Sequence, residues 1–522
     1  DADSGADAGP GPELELELEL EPELDRKAGL GYRYRPSSSS SGAGGGGPRV
    51  GPGADPLDRT ISRMEAQVNR HILSTLRERH HLETHLWALK QFLLFGRGDF
   101  ILAMMDGLHR ELEGRTADCR VGAGEMDGVY AHTLMSVVEN ALRTTNARFL
   151  PPYVLNRLGA GLATVDQRPP GEGGEDEDEA RPDAWDAFHL TYEVDAPLAA
   201  VVHPAAARKY RRVFALLFRL KRIMYMLNRT WRQSTTLHHT LRQLALTYPD
   251  GNESARRRTM LLLRRVAMTR NSILHFVSNL QSYLMFEVME GGYEEMARRV
   301  SRATTLDEVI AAHDTYLGEV VRKGLLEEEP EGRGEVEGAS GGSVREGAPE
   351  SVEGGRSLAS ELSNVLDGAL AFCRVHSDLF EPALRSAAVA TRKRRAAERR
   401  ARAGRWGHDE VDRDVDGSNL LDGLGQEGHV LRVGEAADGF DRALGRLLRA
   451  LDRTLNEGPG TAGEPWWRGG TGLDAAGFAT AHGALDARST PRGWSSDESL
   501  RSLAFRLDFN EYYNSRAEAA AG

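Results

Sequence analysis

His81 and His85 stand one helical turn apart in HHLETH (residues 80–85), with Glu83 between them. Two imidazoles at i and i+4 are spaced to hold Zn²⁺. The glutamate is misplaced for an HExxH hydrolase and no third ligand is in view. The pair is therefore read as a solvated or packed helix face, and no metal is assigned. Gly96-Arg97-Gly98 is not a phosphate loop, because no strand precedes it and neither Gly-Lys-Ser/Thr nor a third glycine follows. Arg97-Gly98-Asp99 spells an integrin-type tripeptide, but the acidic, glycine-rich start of the chain is the opposite of a secretion signal. There is no GxSxG elbow and no activated-cysteine context. No catalytic residue and no cofactor is assigned, so the chain is not expected to be an enzyme.

The same residues make better sense as architecture. In LWALKQFLLFGRGDFILAMMD (86–106) an amphipathic helical pattern stops at Gly96-Arg97-Gly98-Asp99 and resumes at Phe100. Two glycines around a cation, then an acid able to cap the next turn, predict a tight helix–turn–helix corner, with Phe100 as its anchor.

Charge supports a binding role. The net charge is −12. Acid gathers at 172–179 and 327–353, whereas the helical stretches 208–232, 256–270 and 392–405 are basic. A basic helical core suits an acidic partner. The run at 392–402 could serve as a nuclear-localisation or lipid-binding stretch, or simply form an exposed helix. Cys119 and Cys373 make no CxxC pair, which fits a reducing cytosol. No apolar run reaches the roughly 20 residues needed to cross a bilayer, so no membrane insertion is expected.

Periodicity predicts an all-α fold, a large helical bundle with one short extended segment. Residues 1–58 are low-complexity, with GPELELELELEPEL followed by serine and glycine runs, and predict a disordered tail. A single domain follows at 59–513, interrupted by disordered insertions at 167–183, 327–358, 390–437 and 456–497, with a tail at 514–522. Ile61, Met64, Val68, Ile72 and Leu76 begin a helical stripe. Residues 185–194 (WDAFHLTYEV) alternate with period two through Trp185, Phe188 and Tyr192, and Pro197 ends the segment. Residues 205–231 predict a long helix burying a stripe from Tyr210 to Trp231, with arginines on its other face. Thr305, followed by Asp307 and Glu308, predicts a helix start.

These pieces, taken in order, resemble the C-terminal (second grip) domain of the gamma-tubulin complex components. The resemblance rests on 82–106, 134–148, 185–198, 210–231, 275–288, 306–317 and the ending LAFRLDFNEYY (503–513). The Arg97–Phe100 corner and the ending Leu507-Asp508-Phe509-Asn510 are most similar to the component-3 branch. The resemblance implies a non-enzymatic protein that binds gamma-tubulin within a ring or small complex nucleating microtubules at organising centres and spindle poles. It also implies minus-end capping, and lateral contact with other components through an N-terminal domain not evident here. Gly96, Gly98, Phe100, Trp185, Phe188, Tyr192, Pro197 and Phe509 are expected to build the motif. Arg97, Asp99, Arg219, Lys221, Arg222, Asp508, Asn510 and Glu511 are expected to touch gamma-tubulin. The competing reading is a generic helical scaffold that uses its arginines on nucleic acid or anionic membrane.

Overall fold

The computed structural model describes residues 56–113, 127–162, 184–247, 253–327, 357–404, 426–456 and 496–508. The chain divides into two units, 1–62 and 63–522. Of the first, the described part is the opening of helix α1 (Pro56–Glu78), where Ser62 Oγ donates to the Asp58 carbonyl. Every element below belongs to the second.

The order begins with α2 (Leu82–Leu93), α3 (Gly98–Glu113) and α4 (Asp127–Thr144). A 3-10 turn (Asn146–Phe149), α5 (Pro152–Leu155), strand β1 (Leu158–Leu162), α6 (Ala184–Ala187), β2 (Phe188–Tyr192) and α7 (Ala196–Ala199) follow. Then come the 44-residue α8 (Pro204–Thr247), α9 (Glu253–Ser282) and a π-helical stretch (Tyr283–Glu290). The remaining helices are α10 (Gly291–Arg302), α11 (Leu306–Lys323), the 45-residue α12 (Leu358–Arg402), α13 (Glu427–Asn456) and α14 (Ser496–Leu507). Among the described residues the fold is all-α apart from one two-stranded antiparallel ribbon, in which Leu158 pairs with Tyr192 and Leu162 with Phe188.

α8 lies at the centre of the bundle, packed against α12, α9 and α11. Phe214, Leu217, Leu220, Ile223 and Leu227 recur at three- and four-residue steps, Leu237 and Leu241 repeat the four-residue step further on, and all are buried. That 3.6-residue period is why the segment is a helix and why it buries one side. α12 and α13 approach closely at Gly368, where a Cβ would stand 3.3 Å from the Phe440 Cα. α11 starts as expected. Thr305 Oγ1 accepts the Glu308 N–H at 3.2 Å, and Glu308 Oε2 accepts the Thr304 N–H at 2.7 Å, two otherwise unpaired donors satisfied at one helix end.

Several expectations are corrected. The helical stripe from Ile61 lies on α1, but only its far end is packed: Met64 and Val68 are exposed, whereas Leu73 and Leu76 are buried. Trp231 is 54% exposed and α8 runs sixteen residues past it, because the buried stripe precesses to Leu237 and Leu241. The 185–194 segment is extended from Phe188; Trp185 sits in the helical turn α6. Its partner strand, LGAGL, has no alternation to announce it. The expected insertion at 390–437 is helical at both ends, since α12 continues to Arg402 and α13 begins at Glu427. An interior proline costs about 3 kcal/mol, yet α12 passes through Pro382. Leu379, Phe380, Ala383 and Ala387 are buried on both sides of it and hold the helix together. α12 begins at Leu358, inside the bounds expected for the 327–358 insertion, with Ser357 capping it by accepting the Ser360 N–H. The expected disorder at 1–55, 167–183, 328–356, 405–425, 457–495 and 514–522 lies outside the described residues.

Candidate protein-interaction surface

The corner between α2 and α3 is real, but its parts are used differently from the sequence expectation. The left-handed residue is Phe95 (φ 60°), not a glycine. The Gly96 N–H reaches the Lys90 carbonyl at 3.3 Å and the Arg97 N–H reaches Gln91 O at 3.0 Å, which closes the last turn of α2. Gly96 is small for a steric reason, because a Cβ there would press Gln91 at 3.1 Å; a Cβ on Gly98 meets nothing. Phe100 is fully buried and stands edge-on to Phe92 at 5.1 Å. Asp99 sits in the first turn of α3 rather than ahead of it. Its Oδ1 accepts the Phe100 N–H at 2.9 Å, and its Oδ2 accepts the Asn146 N–H at 3.0 Å, tying the 3-10 turn to the corner. Partial desolvation pushes its pKa up, but the hydrogen bonds from Asn146 and Phe100 and the nearby Arg97 outweigh that and leave it lowered. The Arg97 guanidinium stacks over Trp87, 5.7 Å from the ring centre.

The junction also presents two apolar side chains that sequence reasoning missed. Leu102, one turn after Asp99, is 61% exposed; Phe149, in the turn that Asp99 holds, is 73% exposed. Arg148 lies 4.6 Å over the Phe149 ring. An exposed Phe beside an Arg, on a backbone fixed by hydrogen bonds, is the anchor-and-rim arrangement of a protein interface. The available signal was ARFLPPY at 147–153, an apolar pair with no helical partner.

The long-helix cations face inward more than their charge suggests. Arg219 ion-pairs with Asp367 and donates to Ser363 Oγ at 2.9 Å, joining α8 to α12. Arg222 is 5% exposed, with its guanidinium 5.1 Å over Trp185. Lys221 is half-buried, and burial lowers its pKa. Trp185 and Phe188 are buried against Phe218 and Phe214. These aromatics are core. Pro197 opens the short helix α7.

His85 is buried, and its Nδ1 is 2.6 Å from the Tyr192 hydroxyl; His81 stacks on Tyr153 at 5.0 Å. Burial, with smaller contributions from Arg157 and His81, pushes the His85 pKa down to about 4, so it is neutral at pH 7. Among the described residues no three His, Cys, Asp or Glu side chains gather as a metal site would require. Asp508 follows the end of α14, which Arg506 holds to Glu287 of the π-helical stretch. Phe509, Asn510 and Glu511 lie outside the described residues.

The family described as "Gamma tubulin complex component C-terminal" matches residues 82–513. A gamma-tubulin complex component 3 homolog from Xenopus laevis is 27% identical over 448 residues, 86% of this chain and 38% of its own length. Human gamma-tubulin complex component 3 is 26% identical over 450 residues, 86% of this chain and 39% of its own. The spindle pole body component alp6 of Schizosaccharomyces pombe is 30% identical over 272 residues, 52% and 28% respectively. The chain spans less than two fifths of the length of these relatives.

Proposed function

The chain belongs to the gamma-tubulin complex component family through its C-terminal domain, and from that membership we propose that it binds gamma-tubulin in a ring or small complex. In this reading the complex nucleates microtubules at organising centres and spindle poles and caps their minus ends. The observation that supports the reading most is the match over 82–513, which takes in every described helix except α1. The role is that of a binding scaffold rather than an enzyme. Gamma-tubulin contacts centre on the α2–α3 corner, with Leu102 and Phe149 as apolar anchors and Arg97, Asp99 and Arg148 around them. Lys221 and the segment 508–511 add charge further out. Arg219 and Arg222 act by holding α8 against α12 and the aromatic cluster. Other components of the complex are lateral partners.

The test is retention of purified gamma-tubulin by the full 522-residue chain, immobilised, at about micromolar concentration. Saturable retention that survives about 150 mM salt supports the reading. Failure to retain gamma-tubulin, with heparin or anionic vesicles bound instead and released by salt, favours the generic basic scaffold.

A further inference from the structure

The end of α12 carries charge that the proposed function does not use. Between Arg392 and Arg402 there are seven cations and one acid, Glu398. Glu398 is taken by Arg394 at 3.0 Å. Arg392, Arg395, Arg399 and Arg402 are all exposed. At about 100° per residue they fall within an arc of about 80°, a single row about 15 Å long. Among the described residues no carboxylate forms an ion pair with any of the four. Like charges three and four residues apart on one helix face destabilise it. The negative end of the helix dipole offsets this in the last turn, for Arg399 and Arg402, but not for Arg392 and Arg395 two turns earlier.

We propose that this arginine row is a docking surface for an acidic segment of a partner protein, bound in extended form. Charge complementarity selects the occupant. The four guanidinium groups leave the helix at axial steps of about 4.5, 6 and 4.5 Å. An extended chain with an acid at every second residue presents carboxylates on one face about 6.8 Å apart, a mismatch that long arginine side chains absorb while forming forked hydrogen bonds. Insertion into a membrane is disfavoured. The stretch 392–402 carries no leucine, isoleucine, valine, methionine or aromatic side chain, so it has no hydrophobic face to enter lipid. A single row one side chain wide also offers little to a nucleic-acid duplex, whose two phosphate strands need a broader basic surface. The row lies on α12 and the corner on α2 and α3, and the two share no residue.

The test titrates the full chain into a fluorescein-labelled peptide of alternating Glu and Gly, followed by anisotropy. The variant R392Q/R395Q/R399Q/R402Q is compared with a scattered control, R70Q/R242Q/R302Q/R322Q, that loses the same charge. The expected result is saturable binding weakened about tenfold or more in the row variant and less than about threefold in the control, with both variants melting like the parent. The row variant keeps gamma-tubulin retention, which separates this outcome from failure of the proposed function. Equal loss in both variants, absence of saturable binding, or tighter binding of a single-stranded oligonucleotide of equal charge overturns the proposal.

Discussion

Asp99 Oδ2 accepts the backbone N–H of Asn146 at 3.0 Å, joining the start of α3 to a turn 47 residues away. One carboxylate thereby serves two backbone donors, Phe100 and Asn146. Asp99→Ala is expected to destabilise the chain by about 1 kcal/mol, the usual worth of a helix-end acceptor, and Asp99→Asn by less. Because its folded pKa lies below the free value of 3.8, its contribution is present above about pH 4 and is lost as pH falls through the folded pKa. Urea midpoints at pH 7 and pH 3 check this: the difference between parent and Asp99→Ala should shrink at the lower pH.

Three buried histidines set a second, higher pH window. Burial lowers the pKa of His85 and of His313 to about 4 and of His376 to about 3. Arg157 adds to this at His85 and Arg229 at His376, while Asp314 opposes it at His313. The unfolded chain takes up these protons near pH 6.5 and the folded chain resists until much lower. Stability is therefore full above about pH 6.5 and falls toward pH 4. His376 Nε2 is 3.0 Å from Ser234 Oγ, and the ring stacks on Phe380 at 3.9 Å. His376→Gln should flatten the dependence of the melting temperature between pH 7 and 5. An unchanged slope in that variant, together with pH-independent melting of the parent, contradicts the assignment.

The α3–α4 contact depends on a missing side chain. A Cβ at Gly107 would lie 2.5 Å from Val137 Cγ1. Gly107→Ala gains about 1 kcal/mol of helix propensity and loses more to overpacking, about 1–3 kcal/mol. The net expected change is destabilising. Adding Val137→Ala makes room, so the double variant should be more stable than Gly107→Ala alone. A double-mutant cycle with no coupling overturns the packing argument.

Glu361 on α12 is 6% exposed and is held by Arg446 of α13 at 3.2 Å. Arg446→Met leaves that carboxylate without its cation, at an expected cost of about 2–3 kcal/mol. This is below the full penalty of an orphaned buried charge because Arg446 itself is half open to water. Glu361→Leu combined with Arg446→Met should recover most of the loss, as measured by denaturant midpoint at constant slope.

Local signals in the chain were legible and long-range ones were not. The Thr305 cap, the corner at Gly96–Phe100 and the buried stripe of α8 follow from spacings within one or two turns. Identification of the family came from seven such pieces in sequence order. Arg219 and Arg222 were expected to face outward because a cation on a helix ordinarily seeks water. What turns them inward is Asp367, Ser363 and Trp185, on other elements and, for the first two, more than 140 residues away. β1 was hidden for a related reason. Gly159 is there because a Cβ would sit 2.6 Å from Thr191 Oγ1 across the ribbon, and a glycine chosen for its neighbour looks like a loop when read alone. α13 was half concealed by Gly428, Gly434 and Gly439, which weaken helix propensity in a segment that packing against α12 nevertheless holds helical.

The seam between α8 and α12 also sets a timetable for synthesis. A ribosome that has finished Thr247 must add 110 further residues before Leu358 begins the helix on which α8 rests, an interval of roughly 5–20 s at ordinary elongation rates. Throughout that interval a greasy 44-residue rod is left half clothed. Nascent chains of this protein should consequently engage holding chaperones until their last third emerges, and truncations ending before α12 should precipitate rather than accumulate as a smaller folded piece.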